Sequence, residues 1–239
     1  MTLILVGGAA GEGLAEGPPG GPDRRPHGAH GHHGDHGHPG DHGNPADLER
    51  YVQMLEAPER ATWQKPDEVV RALGVKAGQT VCDIGAGSGY FALRLARVVG
   101  AGGRVFAVDV EARLLEGLRQ RAREAKLDNL TPVLAQPDDP SLPTAACDLI
   151  LIVDTWHHLG DGPAYLRRLQ SRLRPDGRLV NIDYHKRDLP VGPPVEHKIA
   201  REDFLAQAKA AGFELVEEPT LLPHQYFLIL RRVGATKGR

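Results

Sequence analysis

The sequence predicts an α/β fold, a three-layer sandwich in which a mostly parallel sheet lies between two layers of helices. Strand-like and helix-like segments alternate from Thr80 onward, as in successive right-handed crossover units. The run Asp148–Val153 is apolar on both faces, which is typical of a central parallel strand. Two late strand-like segments, Phe213–Glu217 and Gln225–Arg231, are joined by a short loop and predict an antiparallel pair at one sheet edge.

Strands are predicted where short apolar runs stand between glycine- or proline-rich turns. The segment Pro175–Gly177 is interpreted as the turn that leads into the fifth such run. We expect seven strands, at Thr80–Ile84, Arg104–Asp109, Leu130–Leu134, Asp148–Val153, Arg178–Asp183, Phe213–Glu217 and Gln225–Arg231.

Helices are predicted where apolar residues recur at intervals of three and four. Pro66 suits a first helical turn and Gly74 a C-terminal stop, while Leu114 and Leu118 share one face of a longer helix. We expect helices at Asp47–Leu55, Pro66–Leu73, Tyr90–Val99, Glu111–Lys126, Pro163–Leu173 and Arg201–Ala211.

The N-terminal segment differs in composition from the rest of the 239-residue chain. Residues 1–45 are rich in Gly, Pro and His, and seven of the twelve histidines lie between His27 and His42. So few apolar residues cannot offset the entropy of ordering, so we expect a disordered tail. Its histidines are interpreted either as a weak binding site for divalent metal ions or as a solvated linker. Residues 46–75 are expected to form N-terminal helices, a candidate lid, and residues 76–233 one domain.

Composition excludes several classes of protein. The formal net charge is −2, so the chain lacks the positive field that dominates nucleic-acid affinity. Cys82 and Cys147 are too few for a disulfide scaffold or a Cys-rich zinc module, and we expect them to be small core residues. No apolar run reaches the ~18–20 residues that span a bilayer. We expect a cytoplasmic location. The alternative is export, because the short apolar stretch Leu3–Ala10 resembles the end of a truncated leader, although no basic region precedes it.

The most informative segment is a glycine-rich loop between a predicted strand and a predicted helix. It runs from Asp83 through Gly85, Ala86 and Gly87 to Gly89, with the spacing G-x-G-x-G. Glycines there allow a sharp turn and let a ligand lie against bare main chain. A carboxylate beside the loop would repel a pyrophosphate but suits a cationic amino acid group. This pattern therefore indicates a ligand that carries both a nucleoside and an amino acid.

A second acidic residue follows the loop at the distance that a ribose requires. Asp109 ends the next predicted strand, 20 residues after Gly89, and a carboxylate there can accept hydrogen bonds from both ribose hydroxyls. The alternative is that Asp109 caps the helix that starts near Glu111.

These residues resemble the first motif and the ribose-binding acid of the class I S-adenosylmethionine-dependent methyltransferases. The segment Leu173–Leu179 matches the turn before that family's fifth strand, and the resemblance extends over about residues 65–231. It implies a seven-stranded sheet of order 3-2-1-4-5-7-6 with the last strand antiparallel, the cofactor S-adenosyl-L-methionine, and a small-molecule methyl acceptor. The cofactor contacts that it implies are Asp83, Gly85, Ala86, Gly87, Gly89, Asp109, Val110, Asp138 or Asp139, and Asp154.

The resemblance also places the methyl acceptor near the ends of the fourth and fifth strands. Asp154, Trp156, His157 and His158 follow the fourth strand, and Asp183–His185 end the fifth. His157 and His158 are the candidate catalytic residues, because a neutral imidazole can take a proton from an acceptor near neutral pH. The alternative is catalysis by alignment alone, with these histidines in packing or capping roles.

Trp63 and Gln64 precede the domain, where the resemblance implies a cover over the cofactor; the alternative is a packing anchor. The expected oligomeric state stays open. Two other functions also stay open: an NAD(P)-dependent oxidoreductase that uses the same glycine-loop logic, and a His-rich metal-binding protein that carries a non-catalytic cofactor-binding domain.

Overall fold

The computed structural model describes residues 47–234, and within them the predicted fold is confirmed. Seven strands form one sheet of order β3-β2-β1-β4-β5-β7-β6. Strands β1 to β5 are parallel to one another, and β7 pairs antiparallel with both β5 and β6. The strands are β1 (Thr80–Ile84), β2 (Arg104–Asp109), β3 (Leu130–Leu134), β4 (Cys147–Val153), β5 (Leu173–Tyr184), β6 (Phe213–Glu217) and β7 (Gln225–Arg232).

Three of the described helices begin where a side chain accepts a hydrogen bond from a backbone N–H of the first turn. Asp47 accepts a hydrogen bond from the Arg50 N–H, and Asp161 accepts one from the Ala164 N–H. The helices are α1 (Leu48–Leu55), α2 (Arg60–Gln64), α3 (Pro66–Ala72), α4 (Ala92–Val99), α5 (Ala112–Glu124), α6 (Gly162–Arg172) and α7 (Arg201–Ala210), with short 3₁₀ turns at Trp156–His158 and Val195–His197.

Most predicted boundaries agree with the structure to within two residues, and β5 differs most. The ladder of β5 begins at Leu173 rather than Arg178, because Leu173 pairs with Cys147 before the register shifts between Cys147 and Leu149. The segment predicted as a turn, Pro175–Gly177, therefore lies within the bounds of this strand. Helix α2 was not predicted, since five residues with no apolar repeat carry no periodic signal.

The sheet buries both faces, as a parallel sheet between helices must. One apolar cluster packs beneath α3, α4 and α5 and includes Val69, Leu95 and Leu118. The other packs beneath α6 and α7 and includes Leu166 and Phe204. With both faces covered, the open edge at the carboxyl ends of β1, β2, β4 and β5 is where polar side chains gather.

The two cysteines are core residues, as expected, but the structure joins them. Cys82 of β1 and Cys147 of β4 are fully buried and form a disulfide, with their Cα atoms 5.9 Å apart. The sequence offers no signal for this pairing, because 65 positions separate the two residues and their contact depends on how the strands pair. The sequence predicts both residues in the core and does not address a bond between them.

The predicted disordered tail and its histidines fall in a part of the chain that the structure does not describe. The His-rich run lies outside residues 47–234, and within that range no group of three or more His, Cys, Asp or Glu side chains could hold a metal ion. The same range contains no helix with the length and apolar character needed to cross a membrane.

Candidate functional site

The glycine-rich loop turns sharply at the end of β1. The Gly85 and Ala86 N–H groups both donate to the carbonyl oxygen of Val108 in β2, at 2.9 and 3.0 Å. Gly85 has φ +71°, and a Cβ there would collide with the side chain of Thr155 at the end of β4. The loop and the β4 tip therefore touch at a position that only glycine can occupy.

Asp109 lies at the end of β2 and holds the loop. One carboxylate oxygen accepts the Gly87 N–H at 2.8 Å, and the other accepts the Glu111 N–H at 3.0 Å. The cap of α5 is Glu111, whose side chain accepts the Arg113 N–H, so the alternative role of Asp109 as that helix's cap is not supported. The carboxylate therefore lies against the glycine loop at the end of β2, where a ribose-binding acid is predicted.

Asp83 is a buried residue near the end of β1, beside the glycine loop. Burial in the first place, and the charge of Asp109 in the second, raise the pKa of the Asp83 carboxyl to about 7. A hydrogen bond from the Ala92 N–H, at the start of α4, and the charge of Arg60 act in the opposite direction. The negative charge of the Asp83 carboxylate is thus poorly compensated by its surroundings, which suits a cationic ligand.

Asp154 follows β4 in a left-handed backbone conformation, with φ +53°. A non-glycine residue there stores strain that the surroundings must hold. Its carboxylate accepts hydrogen bonds from Gln64 Nε2 at 2.8 Å and from Gln225 Nε2. The Arg60 guanidinium and the Tyr184 hydroxyl each lie 3.5 Å away. Burial, the largest influence, raises the pKa of Asp154 to about 6.

His157 forms a buried pair with Asp183 of β5. Its Nδ1 lies 3.2 Å from both carboxylate oxygens of Asp183, one of which also accepts the Tyr184 N–H at 2.8 Å. Burial lowers the pKa of His157, but the hydrogen bond and charge of Asp183 and the charge of Asp154 together raise it above its ordinary value. Asp183 therefore fixes the ring and leaves Nε2 as the nitrogen that can accept a proton.

The other two histidines of the predicted acceptor region differ from His157. The exposed His158 lies against His157, with ring centroids 4.2 Å apart and ring planes tilted by 41°. His185 lies beside Tyr226, and burial lowers its pKa. Trp156, between Asp154 and the pair, is buried in the core and packs edge-on against Phe204.

Asp138 and Asp139, of which the resemblance implies one as a cofactor contact, lie after β3. Asp138 is exposed and pairs with Arg168 of α6 at 3.3 Å, while Asp139 pairs with Arg172 of the same helix at 3.6 Å. Burial in the first place, and then the charges of Asp139, Asp109 and Asp138, hold the pKa of the core residue Tyr165 well above its ordinary value. The arginine pairs weaken the case for Asp138 or Asp139 as a ligand.

Val110 follows Asp109 directly. It is an apolar side chain left partly exposed at the end of β2. The structure therefore leaves an apolar side chain exposed directly after Asp109, at a position predicted to contact the cofactor.

The N-terminal helices pack over the loop. Leu55 at the end of α1 lies against Gly87, where a Cβ would come within 3.2 Å of its Cδ1. Glu56 accepts a hydrogen bond from the Ser88 hydroxyl and pairs with Arg121 of α5 at 3.2 Å. The glycine loop is therefore covered by the segment that the sequence marked as a candidate lid.

Helix α2 completes the cover on the side of β4, β5 and β7. The Arg60 guanidinium lies 4.3 Å above the Tyr90 ring and donates to the Leu55 carbonyl at 2.9 Å. Gln64 is fully buried and, beside its bond to Asp154, donates to Gln225 Oε1 at 3.2 Å. Sequence reasoning named Gln64 but missed Arg60 and Gln225, which lie in segments with no recognisable motif.

Comparisons with known proteins agree with this geometry. A family profile described as a methyltransferase domain matches residues 75–221. The ubiquinone/menaquinone biosynthesis C-methyltransferase UbiE of Hahella chejuensis is 32% identical over 119 residues, 49% of this chain and 48% of that protein. The 27-O-demethylrifamycin SV methyltransferase of Amycolatopsis mediterranei is 29% identical over 170 residues, 65% of this chain and 61% of that one. The chain thus spans about half to three fifths of these relatives.

A solved structure shows the same fold over most of the domain. The crystal structure of a SAM-dependent methyltransferase from Aquifex aeolicus matches with a TM-score of 0.73 at 24% identity, over 78% of this chain and 98% of that one. At 24% identity this similarity supports the fold alone.

Proposed function

Since the chain belongs to the class I S-adenosylmethionine-dependent methyltransferases, we propose that it transfers a methyl group from S-adenosylmethionine to a small-molecule acceptor. The single observation that carries this proposal is the contact between the Asp109 carboxylate and the glycine loop. This carboxylate binds the glycine loop through the Gly87 N–H, in the place where a ribose is expected. The match with relatives that bear methyltransferase names supports the same reaction.

The charges of the site fit this cofactor and do not fit a dinucleotide. Asp83, Asp109 and Asp154 gather around one end of the sheet, and Arg60 is the cation that acts on both Asp83 and Asp154. A pyrophosphate would be repelled by such a set, whereas a sulfonium and an ammonium group relieve it. This favours S-adenosylmethionine over the nicotinamide cofactor of the alternative function.

Each part of the cofactor then has a candidate partner on this chain. Asp109 would hold the ribose hydroxyls, and Val110 would contact the adenine ring. Asp83 and Asp154 would face the amino group, and Arg60 the carboxylate. The bound cofactor supplies an electrophilic methyl group whose leaving group departs neutral, so the protein need not protonate it.

The pair of His157 and Asp183 points to the class of acceptor. A base is needed only when the attacking atom carries a proton that must leave, as in a hydroxyl group or an acidic C–H. The carboxylate of Asp183 holds Nδ1 of His157, so Nε2 would take that proton and Asp183 would stabilise the resulting charge. We propose His157 as the base, with the exposed His158 as a neighbouring ring that takes no part in the proton transfer.

The acceptor that suits this site is a small molecule with an ionisable hydroxyl on or beside a ring. Trp63 and Tyr184 provide aromatic surface, with ring centroids 6.0 Å apart, and His224 lies 6.2 Å from Trp63. The names of the relatives, which concern quinone biosynthesis and a demethylrifamycin, support an acceptor of this kind.

Ligand binding gives the direct test of the proposed function. Titration of the full chain with S-adenosylhomocysteine by calorimetry is expected to show micromolar binding, and titration with NADH none. Release of S-adenosylhomocysteine from S-adenosylmethionine in the presence of catechol or 1,4-naphthohydroquinone then tests turnover. Binding of NADH in place of S-adenosylhomocysteine would reverse the assignment. Removal of residues 1–44 is expected to leave binding intact, in contrast to the metal-binding alternative.

The substitution Asp83→Asn is expected to change stability and binding in opposite directions. The pKa of Asp83 is about 7 in the folded chain and about 3.9 in the unfolded chain. Because the unfolded chain releases this proton first, the stability of the folded chain falls as the pH rises from about 3.9 to about 7. At pH 8 the variant avoids the buried charge, and its unfolding temperature should rise by a few degrees, roughly 1 kcal/mol of stability. Its affinity for S-adenosylmethionine should fall by about tenfold or more, the worth of one charged hydrogen bond.

The pH dependence of binding supplies the control for this variant. Wild-type affinity for S-adenosylmethionine should increase between pH 6 and pH 8, as Asp83 loses its proton, and the Asn variant should show a flatter profile. A variant that binds as well as wild type at pH 8 would remove Asp83 from the site.

The substitution Arg60→Met is expected to weaken the binding only of ligands that carry an amino acid group. Loss of a charged hydrogen bond to the ligand carboxylate should lower the affinity for S-adenosylhomocysteine by about 10- to 100-fold. The affinity for 5′-methylthioadenosine, which lacks the amino acid, should change by less than about threefold. Arg94→Met is the matched control, because Arg94 lies at the same 4.3 Å from the Tyr90 ring but pairs with Asp67. Equal losses for both ligands would indicate a purely structural role.

A further inference from the structure

The disulfide lies directly beneath the proposed cofactor site. Cys82 precedes Asp83 in β1, and Cys147 is the first residue of β4, the strand that ends just before Asp154. Both sulfur-bearing side chains are fully buried on the face covered by α6 and α7. The cross-link therefore connects the two central strands whose tips carry the glycine loop and the Asp154 carboxylate.

These two tips are in contact and must keep their relative position. Thr155, which follows β4, fills the space beside Gly85 so closely that a Cβ on that glycine would collide with it. A shift of β4 against β1 would thus open the loop. The pairing of Val81 with Leu149 and of Cys82 with Ile150 joins the same two strands beside the cross-link.

We propose that the Cys82–Cys147 bond is a permanent covalent cross-link of the native protein, formed while the chain folds, that holds β1 against β4 beneath the cofactor site. Its formation removes two protons and two electrons from two thiols. The electrons pass to an external disulfide, such as oxidised glutathione or a thiol-oxidising exchange protein, which is reduced to two thiols. The proposal does not depend on the methyl-transfer reaction.

Burial decides between a permanent bond and a reversible switch. Thiol–disulfide exchange requires a thiolate to reach one of the sulfur atoms, and neither is accessible in the folded chain. Reduction therefore needs the sheet to open, which is a rare event in a central strand. Such bonds are uncommon in reducing cytosol, so the cross-link favours the exported alternative over the cytoplasmic location expected for a cofactor of this kind.

The bond state is measured directly by mass spectrometry. The full chain, exported to the periplasm of a bacterial host, is denatured without reductant and treated with iodoacetamide. We expect a mass two daltons below that of the dithiol form and no alkylation at Cys82 or Cys147. In native buffer, 5 mM dithiothreitol should leave the bond intact for hours, whereas the same reductant in 6 M urea should reduce it. Alkylation of both cysteines without reductant, or rapid reduction of the native chain, would overturn the proposal.

The contribution of the disulfide to stability is measured by comparing the oxidised and reduced forms of the same chain. The chain produced and kept under reducing conditions should carry two thiols and unfold about 5–15 °C below the oxidised chain. Oxidation with oxidised glutathione during refolding should restore the higher value. The double variant Cys82→Ala, Cys147→Ala should resemble the reduced chain and be insensitive to redox treatment. Equal unfolding temperatures of the reduced and oxidised chains would contradict a stabilising cross-link, and the result is independent of whether S-adenosylhomocysteine binds.

Discussion

The substitution Asp109→Ala is expected to abolish measurable binding of S-adenosylhomocysteine in the micromolar range, a loss of at least about 100-fold. Two hydrogen bonds from ribose hydroxyls to a carboxylate are worth about 1.5–3 kcal/mol each. The substitution also removes the acceptor of the Gly87 N–H, so the glycine loop loses the contact that holds it at the end of β2. Both effects act on the same ligand, and calorimetric titration measures their sum.

Two further variants separate the charge of Asp109 from its role as an anchor. Asp109→Asn keeps an oxygen that can accept the Gly87 N–H but loses the charge, so its affinity should lie between those of the wild type and the Ala variant. Glu111→Gln changes a neighbouring carboxylate that caps α5, and it should bind like the wild type. If Asp109→Ala unfolds at the wild-type temperature and still binds S-adenosylhomocysteine within about threefold, the carboxylate is not the ribose ligand.

The substitution His157→Gln is expected to lower kcat by about 10²- to 10⁴-fold, the usual contribution of a general base. Glutamine fills a similar volume and can still contact Asp183, but it cannot take up a proton. The affinity for S-adenosylhomocysteine should change little, so the loss appears in turnover of the hydroquinone acceptor. His158→Gln provides the comparison, and its loss should be much smaller because Asp183 holds the ring of His157.

The pH profile distinguishes proton transfer from packing. The base must be neutral, so the rate should rise with pH through the pKa of His157, which lies above the ordinary value of a histidine, and then level off. Asp183→Asn removes the main influence that raises this pKa, so the midpoint of the profile should move to lower pH. A merely structural role would lower the rate without moving the midpoint. A profile that stays unchanged in both variants would favour catalysis by alignment alone.

The sheet could be predicted because its signals are local. Strands β1, β2 and β3 are short apolar runs closed by glycine or polar residues, and their predicted bounds agree with the structure residue for residue. The late pair β6 and β7 was visible from the short loop between two apolar runs. The glycine loop and Asp109 were found for the same reason, since a sharp turn and a distal carboxylate are encoded within about 25 residues.

The rest of the site depends on contacts between distant segments. Gln225 reaches Asp154 across 71 positions, and Arg60 reaches it across 94, so neither could be found from spacing. Asp183 was seen only as the end of a strand, because its pairing with His157 follows from the neighbouring placement of β4 and β5. The disulfide has the same origin. Asp138 and Asp139 were selected by position, and the arginines of α6 that bind them come from a helix predicted on other grounds.

The hydrogen bond between Gln64 and Gln225 has a consequence for the order in which the chain is completed during synthesis. The two residues are 161 positions apart, and Gln225 begins β7. Helix α2 therefore leaves the ribosome well before its buried partner has been made. Gln64 cannot complete its buried hydrogen bonds until β7 is synthesised, whereas Leu55 can already lie against Gly87. A chain interrupted before β7 would carry the whole glycine loop, and Gln64 would lack this partner.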